Sequence, residues 1–419
     1  MKKTFLTLLL LSFATFWAPS LFAQTGVTGW RAGNGSGSFT AEKGLLKTWP
    51  ADGPEKVMVI NQIGEGYSSP VITRGRILVT GKRDTLDVLM SFTLKGEKLW
   101  ETVCGSGWVR SYEQTRSTPR VEGNKVWVAT GMAQYACLDF ETGKILWKRD
   151  LFKDYGGVPP FFGYSESPVV VNNLVLYNVG GAKTLMVALD KNSGKEVWKT
   201  EPFDKDPAYC TPLFVKHNGV EMIVSVSANF IFAVNPANGQ LLWKFDYAHV
   251  ENAPARDTNN NTNTPLYHEG RIFVTSGYNH GAVMIELAPD GKSVKQVWLN
   301  KEFDTQHGGV VKVGNYLYGS TWDSNANGKW LCADWNTGET RYFFQWLNKG
   351  VTVTADNMLY CYEEKGGTLA LVRPTPEKFD VVSSFKVTDG SGPHWAHPVI
   401  CDGLLYVRHG NALAVYKIK

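Results

Sequence analysis

The stretch Ala188-Leu-Asp-Lys-Asn-Ser-Gly-Lys-Glu-Val-Trp198 is the most informative in the chain, because close variants of it return at regular intervals. Asp190, Ser193 and Gly194 are residues typical of a tight turn, in which glycine supplies a positive φ. The flanking residues are β-branched or aromatic at strand-like spacing. Related stretches end at other tryptophans, 45 to 55 residues apart: Trp100, Trp147, Trp243 and Trp298. A period of this length predicts repeated supersecondary units.

Each repeat contains four short predicted strands. One unit opens with a proline-led apolar strand at Ser167-Pro168, continues from Leu174, and ends with the strand that carries Trp198. The indole is a large flat group that can pack between neighbouring sheets, so we predict a structural docking role for all five tryptophans. A lone four-stranded sheet cannot bury both faces, whereas radial stacking in a closed ring buries them all. We therefore predict an all-β fold, an eight-bladed β-propeller of four-stranded antiparallel blades.

Eight units can be counted, although the last three lack the tryptophan. The predicted blades start near Gly66, Arg116, Tyr164, Pro207, Asn261, Gln306, Asn348 and His394. The last unit has room for three strands only, and Gly53–Ile63 matches the missing fourth strand, with Met58 in the tryptophan position. We expect the two ends of the chain to share this blade. A seven-bladed ring is the alternative.

The first 23 residues are predicted to be a signal peptide, since Lys2 and Lys3 precede the apolar run Phe5–Phe16 and small residues lead up to Ala23. The apolar run is too short for a membrane span, and no cysteine follows it to carry a lipid anchor. We therefore expect a periplasmic or secreted protein with no membrane span. Residues 24–48 are assigned to an N-terminal extension and residues 49–419 to the propeller.

Charge and cysteine content exclude few function classes. The formal net charge is +4, which gives no argument for a nucleic-acid partner, and we expect a monomer. Six scattered cysteines form no CxxC pair; small buried hydrophobes are the favoured interpretation, and one or two disulfides the alternative.

The Asp-x-x-Thr-Gly-Lys-x-x-Trp pattern, as it stands at Asp139–Trp147, resembles the tryptophan-docking motif of quinoprotein (PQQ-type) propellers. That family includes quinoprotein alcohol dehydrogenases and the BamB-type scaffold of outer-membrane assembly. The opening Trp30-Arg-Ala-Gly-Asn-Gly-Ser-Gly37 also resembles a subgroup of exported PQQ-like proteins. The resemblance covers nearly the whole chain after residue 23. It implies the fold and leaves the chemistry open.

A ligand site is expected on the face that carries the connections between blades, which we call the top face. Long connections gather there: Val103–Ser117, Phe152–Glu166, Tyr247–Thr264 and the insert Thr321–Lys329. Residues that precede each inner strand should ring a central funnel: Tyr67, Arg116, Glu166, Tyr209, Asn263, His307, Lys349, His394 and Trp395. Their polar, charged and aromatic character suits a planar or sugar-like ligand. A plain solvated mouth is the alternative.

The resemblance to quinoprotein enzymes implies a PQQ cofactor, a calcium ion held by Glu, Asn and Asp, and an aspartate base. Glu166, Asn263 and Arg116 are suitable residue types, but no residue-by-residue match to the calcium ligands is found, and no two cysteines are adjacent. Catalytic residues therefore stay unassigned, and we predict no metal site from the scattered histidines.

Three functions remain open. The favoured one is a non-catalytic binding or scaffold propeller for a small molecule, a carbohydrate or a protein. The alternatives are a PQQ- and calcium-dependent alcohol or sugar dehydrogenase with a divergent site, and a carbohydrate-active propeller that uses Glu166.

Overall fold

The computed structural model describes residues 26–255 and 257–419. The predicted signal peptide, residues 1–23, lies outside the described residues. Across the described ranges the strands form eight sheets in a ring, which confirms the eight-bladed β-propeller. Within the same ranges, no helix combines the length and the apolar character needed to cross a bilayer.

Three short strands precede the first blade: β1 (Gly26–Val27), β2 (Ser38–Phe39) and β3 (Lys56–Asn61). Blade 1 contains β4 (Val71–Thr73), β5 (Arg76–Arg83), β6 (Leu86–Thr93) and β7 (Lys98–Ser106). Blade 2 contains β8 (Arg120–Glu122), β9 (Lys125–Ala129), β10 (Gln134–Asp139) and β11 (Ile145–Asp150). Blade 3 contains β12 (Val169–Val171), β13 (Leu174–Asn178), β14 (Met186–Asp190) and β15 (Glu196–Lys199). Blade 4 contains β16 (Leu213–His217), β17 (Val220–Val226), β18 (Phe230–Val234) and β19 (Leu241–Asp246).

The second half of the ring repeats this order. Blade 5 contains β20 (Leu266–His268), β21 (Arg271–Thr275), β22 (Ala282–Leu287) and β23 (Val294–Asn300). Blade 6 contains β24 (Val311–Val313), β25 (Tyr316–Ser320), β26 (Trp330–Asp334) and β27 (Thr340–Phe344). Blade 7 contains β28 (Gly350–Ala355), β29 (Met358–Glu363), β30 (Thr368–Pro374) and β31 (Phe379–Lys386). Blade 8 contains β32 (Val399–Cys401), β33 (Leu404–His409) and β34 (Ala412–Lys417).

A helical turn, α1 (Leu151–Tyr155), follows blade 2 within a connection that we expected to be irregular. The side chain of Asp150 accepts a hydrogen bond from the backbone N–H of Lys153, which caps the start of the helix. Gly156 ends the helix in the left-handed conformation. The helix buries Leu151 and Tyr155 and so holds this connection against blade 2.

Four of the five docking tryptophans, Trp100, Trp147, Trp198 and Trp298, pack on the glycine of the next blade's turn, whereas the side chains nearest to Gly291 are Met222 and Val220 rather than Trp243. A Cβ added to Gly143 would lie 2.6 Å from the ring of Trp100, and one added to Gly194 would lie 2.6 Å from the ring of Trp147. Both glycines have positive φ, so conformation and space each require glycine there. The indole N–H also reaches a turn carbonyl, as from Trp147 to the Lys191 oxygen at 3.2 Å. These contacts link blades 1, 2, 3 and 5 to the blade that follows, whereas the indole N–H of Trp243 has no hydrogen-bond partner among the described residues.

A β-bulge points each tryptophan toward the neighbouring blade. In blade 3, Trp198 pairs with Ala188 and Glu196 pairs with Leu189, so Val197 has no partner in the ladder. Blades 2, 4, 5 and 6 carry the same irregularity between their third and fourth strands. A bulge locally increases strand twist, and here it separates the buried indole from the exposed residue before it. Val197 is 52% exposed, whereas Trp198 is 6% exposed.

The ring closes as predicted, because β3 pairs with β34 as the outer strand of blade 8. Met58 occupies the tryptophan position, and its sulfur lies against Gly96 in the turn of blade 1. A thioether fills this space as the indoles do elsewhere. All six cysteines are buried and unpaired, so the structure contains them as small core residues.

The first described part of the N-terminal extension, residues 26–39, lies inside the ring. β1 pairs with β4, the innermost strand of blade 1, and β2 pairs in parallel with β28, the innermost strand of blade 7. The residues between them cross the central channel. The extension therefore pairs with the innermost strands of blades 1 and 7.

Candidate ligand cavity on the propeller axis

A cavity of about 250 Å³ opens on the top face at the centre of the ring. Every junction between blades contributes to its wall, because each inner strand starts at the axis. We call it the axial cavity. It is lined by Trp30, Tyr67, Tyr112, Arg116, Phe162, Ser165, Tyr209, Thr211, Thr262, Thr264, Tyr278, Gln306, His307, Asn325, Lys349, Glu364, Trp395 and His397.

The floor of the axial cavity is made by the N-terminal segment. The indole N–H of Trp30 donates to Oγ1 of Thr264 at 3.2 Å. The buried guanidinium of Arg31 donates to the carbonyl oxygens of Val310 at 2.7 Å and Thr352 at 3.1 Å. Burial lowers the pKa of Arg31 to about 9, which still leaves it charged at neutral pH. The bonds to blades 5, 6 and 7 make the cavity blind at its inner end.

His397 completes the floor as a neutral imidazole. Its Nδ1 lies 2.9 Å from Nη1 of Arg31, and its Nε2 lies 3.0 Å from the carbonyl oxygen of His307. Because the guanidinium can only donate and the carbonyl can only accept, Nδ1 is the acceptor and Nε2 carries the proton. Burial, reinforced by the charge of Arg31, holds the pKa of His397 well below its usual range.

Aromatic side chains form one side of the cavity. The ring of Trp395 lies 4.9 Å from that of Tyr67 and 5.2 Å from that of Tyr112, measured between centroids. Phe162 extends this surface, 5.9 Å from Tyr112 and 6.1 Å from Tyr209. Tyr112 is 54% exposed and thus available to a ligand at the mouth. These rings form a continuous apolar wall.

Arg116 joins the two connections that form this wall through hydrogen bonds. Its guanidinium donates to the carbonyl oxygens of Ser111 and Tyr112 in one connection and of Phe162 in the next. Burial lowers its pKa, with nearby Tyr67 and Asp87 acting in the opposite direction. Three carbonyl acceptors occupy much of its donor capacity, so Arg116 holds two loops in place over the cavity.

Polar side chains adjoin this wall, and the ring centroid of His307 lies 5.2 Å from that of Trp395. The ammonium of Lys349 forms an ion pair with Glu364, and both side chains are almost fully buried. Lys349 also donates to the carbonyl oxygen of Asn325 at 3.2 Å. Nε2 of His307 lies 3.7 Å from Glu364, and burial, with the charge of Lys349, lowers the pKa of His307 to about 3. Gln306 donates to the hydroxyl of Tyr278 at 2.9 Å.

Among the described residues, the cavity wall contains a single carboxylate, and that carboxylate is paired. It belongs to Glu364, and the ammonium of Lys349 holds it. Burial raises the pKa of Glu364 and Lys349 opposes that rise. A general base must be free to reach the reacting proton, and this carboxylate is engaged by a cation.

The structure brings six of the nine predicted funnel residues together in the cavity wall: Tyr67, Arg116, Tyr209, His307, Lys349 and Trp395. The other three lie between blades. Glu166 is buried against the N–H groups of Asn178, and burial raises its pKa well above the usual value. Asn263 bonds the backbone at Thr305 and Gly309. His394 is stacked on His409 and bonded to Tyr362.

Several wall residues were not predicted from the sequence. Trp30 and His397 form the floor, and Glu364 comes from the connection between the second and third strands of blade 7. Such connections were assigned to the top face, so their polar residues could have been included. Nothing in the repeat indicates that the Trp30-Arg31 segment enters the channel.

The described residues do not fit PQQ together with a calcium ion. Such a site needs several converging oxygen ligands, whereas the cavity wall supplies the single carboxylate of Glu364, already paired. One group of three potential ligands is found in the described residues, Glu42, Cys401 and Asp402. The Glu42 carboxylate there accepts the backbone N–H groups of Asp402 and Gly403, which accounts for its position.

Known proteins resemble the chain in sequence and in fold. A family model described as outer membrane protein assembly factor BamB matches residues 88–342. The quinoprotein alcohol dehydrogenase PedH of Pseudomonas putida is 28% identical over 136 residues, which are 30% of this chain and 22% of the dehydrogenase. The chain thus matches about a fifth of that relative's length.

Solved structures share the fold at low sequence identity. BamB from Moraxella catarrhalis superposes with a TM-score of 0.63 at 12% identity, covering 87% of this chain and 99% of BamB. A quinohemoprotein alcohol dehydrogenase from Comamonas testosteroni gives 0.62 at 10% identity, covering 94% and 80%. A europium-containing methanol dehydrogenase gives 0.63 at 12% identity, covering 92% and 90%.

These likenesses agree with the docking motif and the ring of eight blades. The family match spans more than half of the 419 residues. The chain belongs to the PQQ-type β-propeller family whose model is described as outer membrane protein assembly factor BamB.

Proposed function

We propose that this chain is an exported, non-catalytic binding propeller that holds a small uncharged ligand in the axial cavity. The proposal rests on one observation. The cavity is closed at its inner end, and its charged groups are already bonded to other groups of the protein. Export is supported by the leader-like sequence of residues 1–23.

The charges in the wall argue for a neutral ligand. Lys349 and Glu364 neutralise each other, and Arg116 is bonded to three backbone carbonyls. A charged ligand that took over the partner of one of these groups would leave a buried charge or carbonyl without it, which costs several kcal/mol. A neutral ligand can add hydrogen bonds at the polar side and stack on the aromatic side without that cost.

The size of the cavity limits the ligand. At about 250 Å³ it lies just below the range of roughly 300–1,000 Å³ typical of small-molecule sites. The floor residues Trp30 and Arg31 prevent a longer molecule from passing through the ring. We therefore expect a small ligand, or the tip of a larger one.

Thermal-shift screening of neutral metabolites, flat aromatic compounds and oligosaccharides tests this function. We expect at least one neutral compound to raise the Tm of the wild type and to lose most of that effect with Trp395→Leu. Phe343→Ala, an exposed aromatic on the outer strand of blade 6, is the matched control and should leave the shift intact. Turnover of any bound compound, or preferential binding of anions, would refute the proposal.

A scaffold role for the same face is the second candidate. Exposed apolar side chains stand on the connections near the mouth, including Val109 at 50%, Phe161 at 74% and Leu347 at 57% exposure. Such side chains are typical of a protein contact. A photo-crosslinker placed at residue 161 should capture one defined protein in cells, whereas the same crosslinker at residue 343 should not. Equal products at both positions would count against this role.

A further inference from the structure

We infer that the ligand of the axial cavity is the terminal part of a neutral saccharide chain, bound end-on. This inference rests on the proposed binding function and names its ligand class. It rests on the aromatic and polar groups of the cavity wall, on the closed floor and on the aromatic surface that continues outside the mouth.

The two sides of the cavity match the two kinds of surface on a pyranose ring. A sugar ring presents a face of C–H groups, which packs on aromatic rings such as Trp395 and Tyr112. Its edge presents hydroxyl groups, which both donate and accept hydrogen bonds. The polar part of the wall offers the Lys349–Glu364 pair, Asn325 and Gln306 in the same cavity.

Other neutral ligands match less of the wall. A flat aromatic compound would stack on Trp395 equally well, but it would cover Gln306, Asn325 and Glu364 without replacing their hydrogen bonds to water. Covering polar groups without compensation is unfavourable. An apolar peptide side chain would also cover these polar groups without forming hydrogen bonds to them. A molecule with hydroxyls on one edge and C–H groups on its face satisfies both sides together.

The closed floor imposes end-on binding. Trp30 is bonded to Thr264, and Arg31 is bonded to the inner strands of blades 6 and 7, so the chain cannot thread through the ring. The volume of about 250 Å³ limits the part of the chain that can lie inside. Only a chain end can enter such a cavity.

The aromatic surface continues beyond the mouth. Phe162 lies 5.9 Å from Tyr112 in the wall and 4.9 Å from Phe161, which is 74% exposed. These rings lead outward from Trp395 over the top face. They would support the next units of a chain whose end is held inside.

The experiment is a calorimetric titration of the full-length mature protein with neutral oligosaccharide series: malto-, cello-, xylo-, manno- and chito-oligosaccharides of three to seven units. We expect one series to bind with one chain per protein. Its molar affinity should rise only until the chain covers the rings of Phe162 and Phe161 and should then stay within twofold up to the heptasaccharide, because each chain has a single suitable end. A site for internal segments would instead give an affinity that rises about fivefold as registers are added.

Variants localise the binding. Trp395→Leu should weaken the best oligosaccharide at least tenfold, and Phe343→Ala should change it less than twofold. Tyr112→Ala removes an exposed ring at the mouth and should weaken binding three- to tenfold; because Tyr112 is half exposed, this variant keeps the test valid if Trp395→Leu fails to fold.

Each negative outcome has a distinct meaning. If no series binds but a flat aromatic compound or a peptide binds and depends on Trp395, the saccharide inference is overturned and the proposed binding function stands. If affinity keeps rising up to the heptasaccharide, end-on binding is overturned. If no probe binds in a way that depends on Trp395 or Tyr112, both the inference and the proposed function fail.

Discussion

Nη1 of Arg31 lies 2.9 Å from Nδ1 of His397 at the centre of the propeller. This contact joins the N-terminal segment to the connection between blades 7 and 8, and both residues lie under the axial cavity. Arg31 is 4% exposed and donates to backbone carbonyls of its own segment and of two blade junctions. The pair therefore ties the floor of the cavity to the ring.

Replacing Arg31 should open the floor. Arg31→Met leaves the carbonyl oxygens of Val310 and Thr352 buried without donors, and we expect a loss of about 3 kcal/mol in the free energy of unfolding. Arg31→Lys should recover part of it, since lysine keeps the charge but lacks the planar fork. Calorimetry measures both. Arg110→Met, at an exposed arginine on the top face, is the control; equal effects at positions 31 and 110 would contradict this role.

Acid should destabilise the protein through its buried neutral histidines. The pKa of His307 is lowered to about 3, that of His394 to about 4, and that of His397 well below its usual range, all mainly by burial. An unfolded histidine has a pKa of about 6.5, so the unfolded state binds more protons once the pH falls below that value. Between pH 7 and pH 5 each such histidine should cost about 2 kcal/mol.

His397→Gln should reduce this pH dependence. Glutamine can still accept from Arg31, and it removes one titrating group, so the loss of stability from pH 7 to pH 5 should shrink by about 2 kcal/mol. Denaturant titrations at the two pH values measure it. An unchanged pH dependence would mean that His397 is not buried in the neutral form.

The Lys349–Glu364 pair should behave as a coupled unit. Lys349→Met leaves a buried carboxylate without its cation and should cost about 3–5 kcal/mol. The double variant Lys349→Met/Glu364→Gln should cost clearly less than the sum of the single changes, because no charge remains unpaired. Additive effects in this double-mutant cycle would show that the two groups do not interact.

Glycines of the docking turns should be irreplaceable for a reason beyond their φ angle. Gly194 has φ 68° and packs on Trp147, whereas Gly75 has φ 74° and nothing within 4 Å of an added Cβ. Gly75→Ala should therefore cost about 1 kcal/mol, from strain alone. Gly194→Ala should cost at least about 3 kcal/mol, since the indole must move. Thermal unfolding compares the two, and equal losses would rule out the docking contact.

Most of the fold could be predicted from the repeat, and there is a physical reason for this. The turn residues, the docking tryptophan and the alternating strands are local signals, so blade number, strand order and the closure through Met58 followed from them. The six wall residues adjacent to inner strands also followed, since strand order places them at the axis. Glu166 and His394 have the same sequence position but point between blades, where they bond to Asn178 and Tyr362, and only the three-dimensional structure shows this difference.

The floor of the cavity could not be predicted in this way. Trp30 and Arg31 bond with Thr264, Val310 and His397, which are more than 200 residues away in the chain. These contacts form only when the ring is closed, and no periodic pattern in the sequence indicates them. A polar Gly-rich stretch with one Trp and one Arg is equally compatible with a surface extension.

A crystal structure of the protein with the best oligosaccharide bound tests the central claim most directly. Our account predicts the terminal sugar ring inside the axial cavity, with its C–H face on Trp395, its hydroxyls at Asn325 and Glu364, and the rest of the chain leaving past Tyr112. A saccharide found on the outer strands or on the opposite face, with the axial cavity holding only water, would contradict it.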